Sequence, residues 1–170
     1  MGERLTLSIR GQPRAKGRAR AFGRVVTTRD GPRAVVRLVT PQDTRDAEEF
    51  IRWEFRASYP RHVPWVGPIM LRFTAVFPML QSFTAAQTRA ALAGELYHTA
   101  KPDKDNLEKL ICDALNGLAW VDDAQLQGGG VKRYGRAERL DITLELLHQP
   151  VTTPSDARRA KAAAQPRLQL

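Results

Sequence analysis

Aspartates gather in one short stretch of the sequence, KPDKDNLEKLICDALNGLAWVDDAQL, at residues 101–126. They are Asp103, Asp105, Asp113, Asp122 and Asp123. The chain as a whole is strongly basic, with a formal net charge of +9 and a pI of about 10.4. A hard cation such as Mg²⁺ prefers carboxylate oxygens, and a basic surplus favours a polyanionic partner, nucleic acid ahead of an acidic membrane. The stretch therefore predicts a magnesium site in a protein that binds nucleic acid.

The spacing of these aspartates suits metal-assisted cleavage of a phosphodiester. Asp103 and Asp105 fall on one side of an extended segment, because side chains of a strand alternate. A second acidic pair follows Trp120, after one helix and a short turn, and approaches the first if the chain doubles back. Lys109 stands one helical turn after Asp105. Such cleavage needs clustered carboxylates, a positioned water and a cation near the phosphate. Asp103, Asp105 and Asp123 with Lys109 meet that requirement.

Each of these residues also has a purely structural interpretation. Asp105 with Glu108 three residues later fits a helix N-cap in a capping-box arrangement. Asp103 is then a carboxylate in the preceding loop. Asp113 lies four residues after Lys109, so pairing between the two is as good an account as metal contact. Asp105 can also combine both roles, since a carboxylate has two oxygens.

Composition excludes several other classes. At 170 residues the chain fits one domain, and its single cysteine, Cys112, leaves neither an internal disulfide nor a Cys/His zinc site. The polar, alternating start is not a signal peptide, and no apolar run reaches transmembrane length. We therefore expect a cytoplasmic protein without a membrane partner.

Alternating and helical patterns predict the elements that must position the acidic stretch. The expected strands are Arg4–Arg10, Arg33–Val39 (as a possible hairpin with residues 25–27), Pro68–Pro78 as a central strand, 131–134 and Leu140–Leu147. The expected helices start at Thr40 as N-cap and run to Ser58, follow a capping box at Thr84–Gln87, and span Asn106–Leu118. In the first helix the residues assigned to the core are Ala47, Phe50, Ile51, Trp53 and Ala57. Gly128–Gly130 predicts a flexible turn or bulge.

The order of elements is typical of an α+β fold. We expect a single compact domain over residues 1–149, with a mixed or mostly antiparallel sheet and helices packed on it. Residues 150–170 lack apolar periodicity and are predicted to form a basic, disordered tail.

The segment after the first strand is rich in arginine. Residues 10–37 hold nine Lys/Arg against one acid, Asp30. Such a run favours a phosphate-binding arm or loop, with a solvated loop as the alternative. The candidate DNA contacts within it are Arg14, Lys16, Arg18 and Arg20.

The central stretch resembles the signature of the RusA family of Holliday-junction resolvases, which is frequent in phages and prophages. The matching pattern is Pro-Asp-x-Asp-Asn-Leu-x-Lys, then Asp-Ala-Leu-Asn-Gly, then Asp-Asp-x-Gln. Other segments are similar to the family as well: GQPRAKGRAR after the first strand, VTPQDTRDAEEF at the helix start, and Val131-Lys132. The likeness spans about residues 5–147. Lys104 is charged, whereas the family commonly has an apolar residue at this position. Two surroundings remain open for its side chain, a place near DNA and a place in solvent.

The resemblance implies a compact α+β homodimer that resolves four-way DNA junctions in recombination and repair, in a bacterial or phage-infected host cell. Its paired nicks would leave 5′-phosphate and 3′-hydroxyl ends, with Mg²⁺ as cofactor and Mn²⁺ as a substitute. The matching metal ligands are Asp103, Asp105 and Asp123, and the matching catalytic lysine is Lys109. Asp122 matches an adjacent acidic position, and Asp113 the helix aspartate. Lys16 and Arg18 match DNA-contacting positions, with Arg14 and Arg20 beside them.

Two other functions remain open at this stage. One is a nuclease that prefers flaps or other branched DNA. The other is a catalytically silent protein that only holds branched DNA, against which the intact set of Asp103, Asp105, Lys109 and Asp123 counts.

Overall fold

The computed structural model describes residues 3–29 and 31–148, together with the isolated positions 154 and 158. The strands are β1 (Arg4–Arg10), β2 (Arg20–Thr28), β3 (Gly31–Val39), β4 (Ile69–Pro78), β5 (Leu126–Gly135) and β6 (Arg139–Leu146). The helices are α1 (Gln42–Ser58), α2 (Ala85–Leu92) and α3 (Lys104–Leu115), with a 3₁₀ turn at Asp123–Gln125. The predicted tail falls outside the described residues, apart from those two positions.

The main sheet has four strands in the order β1-β6-β4-β5. β4 and β5 are parallel, whereas β6 pairs antiparallel with both β1 and β4. The sheet is therefore mixed, β4 lies inside it, and the predicted α+β class is confirmed.

The core lies between one face of this sheet and the helices. Alternate residues of β4, from Ile69 through Leu71 to Phe73, are buried, as the period-two pattern predicts. α1 and α3 cover that face with Ile51, Phe55 and a row of apolar residues from α3. Because the buried face of α3 is fixed against the sheet, its opposite face is turned outward.

Gly128–Gly130 does not form the predicted turn, and this expectation is wrong. The three glycines lie inside β5, paired in register with Leu71–Phe73 of β4. A Cβ on Gly128 would approach Leu71 O to 2.5 Å, and one on Gly130 would approach Phe73 O to 2.4 Å. Gly128 and Gly130 are required here because β5 approaches the backbone of β4 too closely for a side chain.

The first helix differs from expectation in two respects. Its N-cap is Pro41 rather than Thr40, and no side-chain cap bond is present. Phe50 and Trp53 are 45% and 61% exposed instead of buried, and their rings stack at 6.2 Å. They lie away from the buried pair Ile51 and Phe55, because helix positions one or two residues apart face different directions. Ala57 is exposed as well.

The second helix follows the prediction closely. Thr84 and Gln87 form the expected capping box, with Gln87 N–H donating to Thr84 Oγ1 and Thr84 N–H to Gln87 Oε1.

Across the described part of the chain, no helix is long and apolar enough to cross a membrane.

Candidate active site

The outward face of α3 and the 3₁₀ turn enclose an open cleft of about 320 Å³. Its lining is almost entirely ionisable: Asp105, Glu108, Lys109, Cys112, Asp113 and Asp123. The members from α3 recur at three- and four-residue intervals, so they share one face of the helix. The opposite face carries the buried apolar row. The same amphipathic pattern that fixes α3 on the sheet therefore presents the acidic residues to the cleft.

α3 begins two residues earlier than the sequence predicts. Asp103 is the N-cap, with extended dihedral angles and no side-chain cap bond, and Asp105 lies in the first turn. The predicted cap at Asp105 and its capping box with Glu108 are therefore wrong. Lys132 of β5 accounts for the shift, because its Nζ donates to Ala100 O at 2.5 Å and to Pro102 O at 2.7 Å. That contact holds the bend at residues 100–102, directly before Asp103.

Asp105, in the first turn of α3, pairs with Lys109. Lys109 Nζ lies 3.2 Å from Asp105 Oδ2, and both side chains are about three-fifths exposed. The hydrogen bond from Lys109 holds the pKa of Asp105 below its usual value. A carboxylate and an ammonium thus stand side by side at the mouth of the cleft.

The segment Asp122–Gln125 is built around a buried glutamine. Gln125 is 4% exposed, and its Nε2 donates to Trp65 O at 2.9 Å and to Gly67 O at 2.8 Å. Its Oε1 accepts from the backbone N–H groups of Val121 and Asp122. Asp122 in turn caps the 3₁₀ turn by accepting from Ala124 N–H at 2.8 Å. The Asp-Asp-x-Gln pattern therefore has a structural meaning, in which Asp122 and Gln125 hold the turn that displays Asp123.

Asp123 is positioned by its own hydrogen bond. Trp120 is fully buried, and its Nε1 donates to Asp123 Oδ1 at 2.7 Å. The chain does double back along α3, so Asp123 and Asp105 line the same cleft as predicted. Asp103, in contrast, is not among the residues that line it.

Asp113 is paired, but with a different lysine from the one predicted. Lys16, rather than Lys109, contacts Asp113 Oδ2 through its ammonium group. The hydrogen bond to Asp113 raises the pKa of Lys16. Glu48 of α1 lies close by, and burial together with the charge of Asp113 raises the pKa of its carboxyl group. Arg52 reinforces this junction by donating to the backbone O atoms of Asp113 and Ala114.

Lys104 forms an ion pair near the cleft, and Cys112 is packed into the cleft. Lys104 Nζ donates to Glu108 Oε2 at 2.9 Å, and about half of the Lys104 side chain remains exposed. Burial raises the pKa of the Cys112 thiol to about 12, and the carboxylate of Asp123 contributes in the same direction. Cys112 is therefore a packed, protonated thiol in the floor of the cleft.

The donor chemistry of the cleft fits a hard divalent cation, because its ligating groups are mainly carboxylate oxygens. These carboxylates line an open cleft and do not surround a closed site. Within residues 3–29 and 31–148, no three His, Cys, Asp or Glu side chains stand close enough together to enclose a metal ion.

The predicted DNA-binding residues fall into two groups. Arg14, Arg18 and Arg20 are exposed, as a phosphate contact requires, whereas Lys16 is half-buried in its ion pair. Sequence reasoning did not assign Glu48, Glu108 or Lys132 to the site. Glu108 was detectable, since it follows Asp105 by three residues on the same helix face. Glu48 and Lys132 were not, because their contacts join residues far apart in the sequence.

Comparison with known proteins identifies the family of the chain. The family model for Endodeoxyribonuclease RusA matches residues 10–145. The chain is also similar to the "Uncharacterized protein YqaN" of Bacillus subtilis (strain 168), with 26% identity over 143 residues, covering 82% of this chain and 94% of that protein. The matched range contains the whole acidic cleft, the basic segment and the Asp122–Gln125 turn. The chain therefore belongs to the RusA family of endodeoxyribonucleases.

Proposed function

We propose that the chain resolves Holliday junctions by paired nicks that leave 5′-phosphate and 3′-hydroxyl ends, with Mg²⁺ or Mn²⁺ as cofactor. The observation that carries this proposal is the cleft itself. Asp105, Asp123 and Lys109 line one open site on a basic protein of an endodeoxyribonuclease family. This combination is the one that metal-assisted phosphodiester cleavage requires.

Asp105 and Asp123 are the residues that would hold the cation, and Asp103, at the start of α3, is proposed as the third ligand. When bound, a divalent cation supplies positive charge at the scissile phosphate. Trp120 keeps the Asp123 carboxylate fixed through the 2.7 Å hydrogen bond. Lys109 lies close enough to Asp105 to contact a phosphate oxygen beside it and to stabilise the charge that develops there.

The basic segment supplies the binding surface for DNA. Arg14, Arg18 and Arg20 are exposed, and they follow β1 in the sequence. Contacts between arginines and phosphates fix the position of the DNA backbone without reading bases. They therefore suit recognition of a junction by its shape. A homodimer completes the proposal, because two scissile strands related by a two-fold axis need two sites with the same relation.

A substrate panel tests this function. Purified protein is incubated with a four-way junction, a flap and a linear duplex of matched sequence, with Mg²⁺, with Mn²⁺ and with EDTA. We expect symmetric nicks in the junction with either metal and none in EDTA. Asp105→Asn should bind the junction without cutting it, whereas Glu49→Gln, an exposed carboxylate on α1, should remain active.

The alternatives give different results in the same panel. Faster cleavage of flaps than of junctions would assign the protein to other branched DNA. Tight junction binding without cleavage by the unmodified protein, under every metal condition, would show a silent binding protein.

A further inference from the structure

The β2–β3 hairpin projects from the body of the protein as a two-stranded sheet of its own. All but three of its described strand residues are exposed, and its extensive contacts are between its own two strands. An isolated hairpin is only marginally stable in water. A hairpin of this length is therefore expected to gain stability from a partner.

The two faces of this hairpin differ in chemistry. The antiparallel register places Arg20, Arg24, Arg33 and Arg37 on one face, together with Phe22, Val26, Val35 and Val39. The other face carries no charge and consists of Ala21, Gly23, Val25, Thr27, Pro32, Ala34, Val36 and Leu38. The arginines of one ribbon are thus concentrated on one side, and acidic residues are absent from both described strands.

The root of the hairpin is fixed beside the cleft. The backbone N–H of Lys16 donates to Asn106 O in α3 at 2.9 Å, and the N–H of Gly17 donates to Thr44 Oγ1 in α1 at 3.0 Å. The ammonium group of Lys16 contacts Asp113, which lines the cleft. β2 starts four residues after Lys16, so the hairpin leaves the protein within a few residues of the cleft.

We propose that this hairpin is a DNA-binding ribbon whose arginine face holds the backbone on either side of a duplex groove next to the cut. The proposal rests on the proposed function and extends the DNA contact to Arg24 and Arg37, which belong to the same basic segment but are not among the four candidate contacts named from the sequence. The partner is one duplex arm of the substrate.

The dimensions of the ribbon suit such a partner. Each strand has nine residues, which at about 3.3 Å per residue gives a ribbon about 30 Å long. One helical turn of DNA is about 34 Å, and the major groove, about 12 Å wide, admits a two-stranded ribbon. The arginines stand four residues apart in each strand, one in each of four successive cross-strand pairs of this face, and so cover about 20 Å of the ribbon, enough to contact several phosphates of one turn.

The salt dependence of binding tests the proposal. Arg24→Gln/Arg37→Gln is compared with Arg56→Gln/Arg61→Gln, which removes the same charge from exposed positions at the far end of α1. Junction affinity is measured in EDTA over a range of salt concentrations. Each lost phosphate contact lowers the slope of log K against log salt by about 0.9, so we expect the slope to fall by about 2 in the hairpin variant. The control variant should keep the wild-type slope.

Equal slopes in wild-type protein and the hairpin variant would overturn the proposal. The competing partner is a second copy of this chain on the apolar face. Val36→Thr/Leu38→Thr, examined by sedimentation without DNA, distinguishes it. Dissociation of a dimer by this variant, with no slope change in the arginine variant, would assign the hairpin to protein contact. Because binding is measured in EDTA, failure to cut junctions would refute the proposed function without affecting this result.

Discussion

The indole of Trp120 and the carboxylate of Asp123 form a 2.7 Å hydrogen bond between a fully buried side chain and a cleft-lining one. The ring belongs to the core, so it cannot move without disturbing the packing around it. The bond engages one carboxylate oxygen and limits the rotation of the other. A rigid core residue therefore determines where one proposed metal ligand points.

Replacing Trp120 by Phe removes the N–H donor and keeps an aromatic ring in the core. We expect cleavage to fall at least tenfold at low metal concentration and to recover partly at high metal, because Asp123 is no longer held in place. Stability should fall by about 1–3 kcal/mol, from the lost bond and a smaller ring. Trp65→Phe, at a second buried indole, is the control and should keep the metal dependence. An unchanged metal dependence in Trp120→Phe would contradict the role of this bond.

Replacing Lys109 by Met removes both the proposed phosphate contact and the partner of Asp105. Cleavage should be lost while junction binding stays close to wild type. The pKa of Asp105 should rise toward its ordinary value, since the hydrogen bond from Lys109 is the main cause of its depression. A carboxyl NMR titration of both proteins measures this shift. If the Asp105 titration is the same in both proteins, the pair does not form in solution.

The Lys16–Asp113 pair should contribute stability that depends on pH. The pKa of Lys16 is raised by its hydrogen bond to Asp113, so the contribution is complete below the ordinary lysine value and is lost as pH rises through the raised one. Both side chains are more than one third exposed, so Lys16→Met should cost only about 1 kcal/mol at pH 7. Urea unfolding at pH 7 and near pH 11 measures the difference, with Lys101→Met as an exposed control. A cost that is constant with pH would exclude this origin.

Gly130→Ala should destabilise the protein strongly. The new Cβ would lie 2.4 Å from both Phe73 O and the Phe73 ring, which no small adjustment relieves. We expect a loss of about 3 kcal/mol or more. Gly23→Ala in the projecting hairpin meets nothing within 4 Å and should change stability by less than about 0.5 kcal/mol. Chemical denaturation of the two variants tests the close approach of β5 to β4.

The Cys112 thiol should react slowly with alkylating agents. With a pKa of about 12, raised chiefly by burial, its thiolate fraction at pH 8 is about a thousandfold below that of an ordinary thiol. Iodoacetamide labelling of native protein should therefore lag far behind labelling in urea. Rapid labelling of the native protein would show that the cleft floor is open. Cys112→Ala should retain cleavage, because the thiol has no role in the proposed chemistry.

Local patterns predict much of this fold. The alternation in β1 and β4 gives each strand, its buried face and nearly its ends, and the apolar row of α3 gives the helix and its buried face, because these depend on neighbours along the chain. Patterns fail where a distant contact decides. The start of α3 is set by Lys132, about 30 residues away, rather than by the better capping sequence at Asp105. Phe50 and Trp53 fail for another reason, since hydrophobicity alone does not determine which side of a helix is covered.

The site shows the same division. Asp105, Lys109 and Asp123 are detectable from spacing, and the structure brings them to one cleft. The partners that position them are not detectable in the same way. Trp120 is a core residue by every sequence criterion, and the pairing of Lys16 with Asp113 joins residues 97 positions apart.

The parallel pairing of β4 and β5 is continuous from Ile69 opposite Leu126 to Pro78 opposite Gly135. Asp123 stands three residues before β5, and Gln125 ties that turn to the loop that leads into β4. The register between β4 and β5 therefore fixes the position of the Asp123 carboxylate along the sheet. A single-residue deletion between Asp123 and Leu126 would move the carboxylate by about 2 Å relative to α3, the rise per residue of a 3₁₀ turn. Length changes at the tip of the projecting hairpin leave this distance untouched, so the two regions should differ sharply in their tolerance of insertions and deletions.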